Sequence, residues 1–229
     1  MSGSRLSRVV TAHSVVVAGL SVAHSLRTRG LRRTLFFAAP GIAIPILGEL
    51  LAVKGLKLLR HHAQPQAGGV PLAIALGWYN VGYGTFAVVE SIMDADGLDD
   101  ERSWVLAPAT ALAATSLDLL LDPYGLDLGL WEWSRDGRYA AEVRGPNDRR
   151  GVPLLNYAGW IGLITGVTLA HRRLDPGRNA PNAAAAGRGA ALLLLAYYLP
   201  AAAWALKRRR PKYLIYSAPF ALSLWAALS

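Results

Sequence analysis

Residues 103–123 read SWVLAPATALAATSLDLLLDP. From Ser103 to Leu121 this stretch contains one carboxylate and no Lys or Arg. A helix needs about 20 mainly apolar residues to cross a bilayer, and this run supplies them. It closes on Asp118 and Asp122, which are four apart and share a helix face. Pro123 is expected to end the helix there, or nearly so. Carboxyl groups inside a membrane span are expensive, so these two are functional candidates by default.

Windows of the same kind recur on both sides of this one. They lie near 9–26, 33–53, 69–93, 103–122, 152–171, 188–206 and 211–228. Only 17% of the 229 residues are charged, against about a quarter in a soluble domain. Backbone in lipid is satisfied only by helices or a closed barrel, and these runs are too long and too apolar for barrel strands. The expected fold is all-α, a polytopic integral membrane helical bundle of about seven transmembrane helices forming a single domain over 1–229. The first window follows Arg5 and Arg8, contains His13 and His24, and is not followed by a small-residue cleavage site. It reads as a retained helix and not as a signal peptide. The chain has no cysteine, which excludes disulfides, thiolate metal sites and thiol catalysis.

The net charge of +9 is carried at the span ends, as in Lys207-Arg208-Arg209-Arg210 and Lys212. Such clusters anchor a helix to anionic headgroups, and no nucleic-acid partner is read from them. Lys and Arg are in excess on the side of the N-terminus, which predicts a cytoplasmic N-terminus.

If successive spans alternate in direction, polar residues far apart in sequence meet at one level. Glu49 ends the second span, and Asp118 and Asp122 end the fourth. The third and fifth spans start from that same face with Trp78 and Tyr79, and with Asn156, Tyr157 and Trp160. The segment after Pro123 is too rich in aromatics for a plain linker. Trp131 and Trp133 within it read either as an interfacial belt or as a lid. Residues 177–189 read as a low-complexity connection. The acidic run from Asp94 to Glu101 reads as a solvated turn on the opposite face, and Glu90 reads either as part of that edge or as part of the span before it.

One ordered set of residues is similar to the membrane carotenoid-biosynthesis proteins of the CruF type. These are the carotenoid 1,2-hydratases, which include bisanhydrobacterioruberin hydratase. The set comprises Glu49, Val53 and Gly55, then Gly69-Val70-Pro71 and Trp78. It continues with Asp118, Leu121-Asp122-Pro123, Gly129, Trp131, Trp133 and Tyr139. It closes with Gly151-Val152-Pro153, Asn156, Tyr157, Gly159 and Trp160. The resemblance spans about 49–160. Segment 56–68, with His61 and His62, departs from the family pattern, as does the Arg-rich segment 134–150.

The resemblance implies a cofactor-independent hydro-lyase that adds water to the terminal double bond of a linear carotenoid or other polyisoprenoid. The residue types suit that reaction. A carboxylic acid protonates the less substituted carbon, a tertiary carbocation forms, and water captures it. Loss of solvent favours the neutral, proton-bearing form of a carboxyl. Aromatic faces stabilise a cation without trapping it. Asp118 is the expected acid, and Asp122 or Glu49 the base that activates water. Asn156 would position the water, and Trp78, Tyr79, Trp131, Trp133, Tyr157 and Trp160 would line the substrate. No metal or cofactor is required.

Other classes compete with this reading. Five scattered histidines, including the His61-His62 pair, do not make the His boxes of a di-iron hydroxylase, and all five read as structural. Residues 213–228 contain no lysine for retinal. A membrane terpene or carotenoid cyclase would use the same protonation but quench the cation with an internal alkene. A transporter or scaffold of the pigment pathway would spread its carboxylates along a path across the bilayer. Pathway enzymes that deliver so insoluble a substrate are further expected partners.

Overall fold

The computed structural model describes residues 3–95, 103–175 and 182–229. Its long elements are α1 (Gly3–Leu50), α2 (Leu72–Ala95), α3 (Ser103–Asp127), α4 (Leu154–Leu174) and α5 (Ala183–Lys207). Two short helices follow, α6 (Lys212–Tyr216) and α7 (Ala218–Leu228). Short strands join the long helices at one end of the bundle. They are β1 (Leu59–His61), β2 (Gln66–Ala67), β3 (Val70–Pro71), β4 (Trp131–Trp133), β5 (Tyr139–Arg144) and β6 (Arg150–Val152). The fold is all-α with three two-stranded ribbons, in which β1 pairs with β4, β2 with β3, and β5 with β6.

The first two expected spans are the two helical arms of α1, which meet at a kink and reverse direction at Gly30. Gly30 has φ 80° and ψ 169° inside an otherwise helical run, a conformation that glycine adopts without steric cost. Contacts along α2 show the reversal. Asn80 donates to the Ser14 carbonyl at 3.3 Å, His24 Nδ1 meets the Tyr83 hydroxyl at 2.8 Å, and Arg29 pairs with Glu90 at 2.6 Å. The first arm therefore climbs α2. The second arm descends it, with Phe37 against Phe86 and Tyr83, then Gly41 beside Tyr79, then Glu49 bonded to Trp78. Ser25 and Thr34 hydroxyls, 2.9 Å apart, close the hairpin.

The remaining helices keep the alternation. Along α4, Leu163 lies against Gly48 and Asp175 pairs with Arg33 at 2.9 Å, so α4 is antiparallel to the second arm. Along α5, Gly189 lies against His24 and Tyr197 against His13, so α5 is antiparallel to the first arm. The ends of the second arm and of α3, and the starts of α2 and α4, therefore meet at one end of the bundle.

Among the described residues, four helices are long and apolar enough to cross a membrane. They are Arg5–Gly55, which holds both arms of the hairpin, Leu72–Asp94, Trp104–Asp127 and Ala183–Lys207. Their outward faces are apolar as well. Val16, Leu112 and Leu192 are about 60% exposed, an exposure that suits lipid better than water. The expected last span, 211–228, is instead divided between α6 and α7, with Ser217 as the joint.

Several boundaries differ from those expected. Pro123 does not end α3, which continues to Asp127. A proline inside a helix leaves the carbonyl four residues back without its donor. Here that carbonyl belongs to Leu119, and the Tyr139 hydroxyl donates to it at 2.6 Å. Burial pushes the Tyr139 phenol up, so it remains a hydroxyl donor. Pro40 in α1 is served the same way, since the His171 ring hydrogen-bonds the Phe36 backbone. Residues 183–189, expected to be a connection, form the first turns of α5. Asn182 caps that helix by accepting from the Ala185 N–H at 3.0 Å. The expected solvated turn from Asp94 to Glu101 lies outside the described residues from residue 96 onward, as do residues 177–181 of the expected connection. Glu90 is not part of an edge. It is buried beside Arg29, whose guanidinium also lies 5.0 Å from the centre of the Phe86 ring.

Each side chain of the Arg29–Glu90 pair is 2% exposed, so removing one partner strands a charge in an apolar interior. Arg29→Met is expected to destabilise the protein by about 3–5 kcal/mol, and Arg29→Met with Glu90→Met by markedly less. Thermal unfolding in detergent would show this. Equal loss in the single and double variants would mean that the pair does not tie the hairpin to α2.

Candidate active site

At the strand-bearing end of the bundle a cavity of about 340 Å³ opens between the helices. Its polar wall consists of Glu49, His61, Asp118, Asp122 and Asn156, and its aromatic wall of Trp78, Trp131, Trp133 and Trp160. Among the described residues, neither Lys nor Arg lines it.

Each polar group is placed by its own element. Asp118 and Asp122 project from one face of α3, one turn apart, and both are buried. Asn156 comes from the first turn of α4. Pro153 precedes that helix in extended conformation and sets the chain for the turn. The single Asn156 Nδ2 donates to Asp118 Oδ2 and to Asp122 Oδ2, each at 2.8 Å. Trp131 Nε1 donates to Asp122 Oδ1 at 2.6 Å, so both oxygens of Asp122 are occupied. Asp118 Oδ1 accepts no hydrogen bond among the described residues.

Glu49 stands at the end of α1, where the helix loosens into a π-helical turn over Leu51–Gly55. Both of its oxygens are occupied. Trp78 Nε1 donates to Oε1 at 2.8 Å, and His61 Nε2 lies 2.9 Å from Oε2. The Lys54 ammonium, a nearby cation in the sequence, lies instead beside Gly68.

The β1–β4 ribbon brings His61 and Trp131 into register as Cα partners. It thereby closes the cavity with one residue bonded to Glu49 and another bonded to Asp122. Trp131 and Trp133 accordingly belong to the site wall and not to a belt beside it. Behind Trp131, Gly125 leaves room for the indole, which a Cβ there would overlap. Trp78 and Trp160 stack with ring centres 3.9 Å apart.

Two expected site residues lie elsewhere. Tyr79 points into the core, where it stacks on Tyr83 and meets Phe37. As the immediate neighbour of Trp78 on a helix, it is turned about 100° away. Tyr157 is buried against Tyr139, on the side of α4 that faces the β5–β6 ribbon. Its neighbour Asn156 takes the cavity face. His61, expected to be structural like the other histidines, is a member of the site. Only its pairing with β4 reveals this, and no spacing in the sequence points to it. His13 also lines the cavity. Among the described residues no three His, Asp or Glu side chains stand close enough to hold a metal ion.

The arrangement presents three carboxyl groups, one with an unoccupied oxygen, to a space otherwise walled by aromatic and aliphatic carbon. Such a space is suited to proton transfer onto a hydrocarbon and to shielding of the resulting cation.

Gly125→Val is expected to displace the Trp131 indole and remove its bond to Asp122. The protein should still accumulate in membranes, and its turnover should fall about 10²-fold, the scale of loss for an ångström-sized misplacement. Wild-type turnover in that variant would remove Trp131 from the site. Tyr139→Phe is expected to leave the Leu119 carbonyl without a donor and to lower stability by about 1–3 kcal/mol; an unchanged melting temperature would show that the carbonyl is satisfied otherwise.

A model of the family described as "Carotenoid biosynthesis protein" matches residues 8–207 of the chain. No curated protein matches it, and no solved structure does.

Proposed function

The chain belongs to the carotenoid biosynthesis protein family, and from that premise we propose that it hydrates the end of a linear carotenoid, as the CruF-type resemblance implies. The observation that carries this reading is the unequal occupation of the three carboxyl groups. Among the described residues, Glu49 and Asp122 have a hydrogen-bond partner at each of their oxygens, whereas Asp118 Oδ1 has none. Carboxylates fixed as acceptors are suited to the ionised form. Asp118 and Asp122 share one amide donor, and like charges so placed repel, so a single proton on the pair is favoured. In this reading that proton sits on Asp118 Oδ1.

The reaction can then be written with these residues. Asp118 transfers its proton to the less substituted carbon of the terminal trisubstituted double bond. The π pair forms the new C–H bond, and the other carbon becomes a tertiary cation. The faces of Trp78 and Trp160, with Trp131 and Trp133, stabilise that cation through their quadrupoles. Water adds to the cation, and Glu49 takes the excess proton, giving a tertiary alcohol. Return of a proton from Glu49 to Asp118 through water restores the starting state. The net change is addition of one water, with no electron transferred.

His61 and Trp78 hold Glu49 in place as the base. Asn156 serves the two aspartates, so in this reading it orients the acid, beside the water-positioning role expected from the sequence. Hydration is favoured over cyclisation because the polar groups gather at the loop-bearing end of the bundle, where water is within reach. The excess of Lys and Arg on the side of the N-terminus argues that this end lies in the cytoplasmic leaflet. Clustering of the carboxyl groups at one level does not suit a transporter path across the bilayer.

Expression in a host that accumulates lycopene or another linear carotenoid, followed by mass spectrometry of the pigments, tests the proposal. The expected product is heavier by one water. Asp118→Asn and Asp122→Asn should abolish it while leaving normal amounts of protein in membranes. An isomer of unchanged mass would favour the cyclase, and full yield from Asp118→Asn would remove that residue from the acid role.

A further inference from the structure

The cavity has a second end that the chemistry above does not use. Beyond the carboxyl cluster its wall is formed by Leu6, Val9 and Val10 on the first arm of α1, and by Ala196 and Pro200 on α5. These two helices run antiparallel and touch where the His13 ring packs edge-on against Tyr197, with ring centres 5.0 Å apart. From that contact toward the strand-bearing end, the facing residues line the cavity and also reach the surface. Val9 is 54% exposed, and Pro200 is exposed opposite it.

The level of this opening follows from helix rise. Ser14 is bonded to Asn80, and Asn80 is two residues beyond Trp78, which bonds Glu49. Val10 lies one turn back from Ser14 along the arm, about 6 Å toward the strand-bearing end. The opening is therefore abreast of the carboxyl cluster and not above or below it.

The opening has structural supports. On its outer flank the first arm is held at the ribbons, where the Ser7 and Thr11 hydroxyls donate to the Gln64 carbonyl at 3.0 and 2.8 Å. On the α5 side, Pro200 cannot donate to the Ala196 carbonyl, so the helix lacks one backbone hydrogen bond where it borders the mouth. The surface beside the mouth is mainly apolar, with the exposed Arg8 next to Val9 toward the N-terminus. Val16 and Leu199 are 60% and 57% exposed, as expected of a face turned to lipid.

We propose that this opening is a lateral portal through which the hydrocarbon body of a long polyisoprenoid passes between the first arm of α1 and α5 into the bilayer, while its end group occupies the carboxyl site. The inference rests on the hydratase reading for the identity of the end-group chemistry only. Its own warrant is size and polarity. A cavity of about 340 Å³ is at the small end for ligand sites; it takes the end of such a chain and not its length. The remainder must leave the bundle, and the mouth is its apolar exit. An amphiphile with a charged head would find no Lys or Arg among the described lining residues to receive it.

The chain contains no cysteine, so single cysteines report cleanly. Val9→Cys at the mouth and Leu192→Cys, on an exposed part of α5 away from it, would each be labelled with N-ethylmaleimide in nanodiscs, with and without lycopene. Lycopene should slow labelling of Val9→Cys at least about fivefold and leave Leu192→Cys unchanged. Ala196→Trp should abolish that protection by filling the mouth. Equal protection of both cysteines, or of neither, would overturn the portal, and so would protection that survives Ala196→Trp. This readout is binding and not turnover. Protection without any gain of water would keep the portal and sink the hydration, whereas water gain without protection would do the reverse.

Discussion

Asn156 places one amide nitrogen between two carboxyl groups, and much of the structure can be understood as holding it there. Asp118 and Asp122 lie in an apolar bundle, where an unpaired carboxylate is costly. Both accept from Asn156 at 2.8 Å, so the last turns of α3 and the first turn of α4 must stay in register. That register depends in turn on α3 continuing through Pro123. Its broken backbone bond is replaced by Tyr139, delivered from the β5–β6 ribbon. The ribbon is fastened to α6 by Glu142, which accepts from Tyr213 and pairs with Lys212 at 2.8 Å. Burial alone would raise the Glu142 carboxyl, but these partners outweigh it and hold it at about 2. The short helix α6 therefore acts on the site through a chain of named contacts.

Polar satisfaction in an apolar medium explains several further features of the architecture. Carbonyls freed by Pro40 and Pro123 find a histidine and a tyrosine. The Arg29–Glu90 pair sits at the far end of α2 from the Glu49–Trp78 bond, so the α1 hairpin is tied at both ends of one helix. Apolar packing between these ties discriminates little in lipid, because the outer faces are as apolar as the core. Hydrogen bonds and ion pairs set the direction and register of the rods.

Much of the site is legible in the order of residues along the chain. Glu49, Asp118, Asp122 and Asn156 converge because alternating rods bring every second end to one level, and counting spans is enough to see it. Trp78, Trp131, Trp133 and Trp160 line the cavity as expected. Tyr79 and Tyr157 do not, because each is the immediate neighbour of a residue that does, and one step along a helix rotates a side chain out of the site. His61 escapes a sequence reading for a different reason. It lies in a segment with no helical period, and its place comes from pairing with the distant strand β4. The end of α3 is misjudged from sequence because a proline stops a helix only when its orphaned carbonyl stays orphaned.

The sequence by itself determined the medium, the class of fold and the level of the carboxyl groups. Those properties follow from runs of apolar residues and from the parity of their number, and neither depends on which partners the helices choose. The tertiary structure decided which face of each helix looks inward, which oxygen of which carboxyl is left free, and where the cavity opens. These depend on rotations of about 100° per residue and on contacts between distant segments. A local pattern does not specify either until the helices are packed.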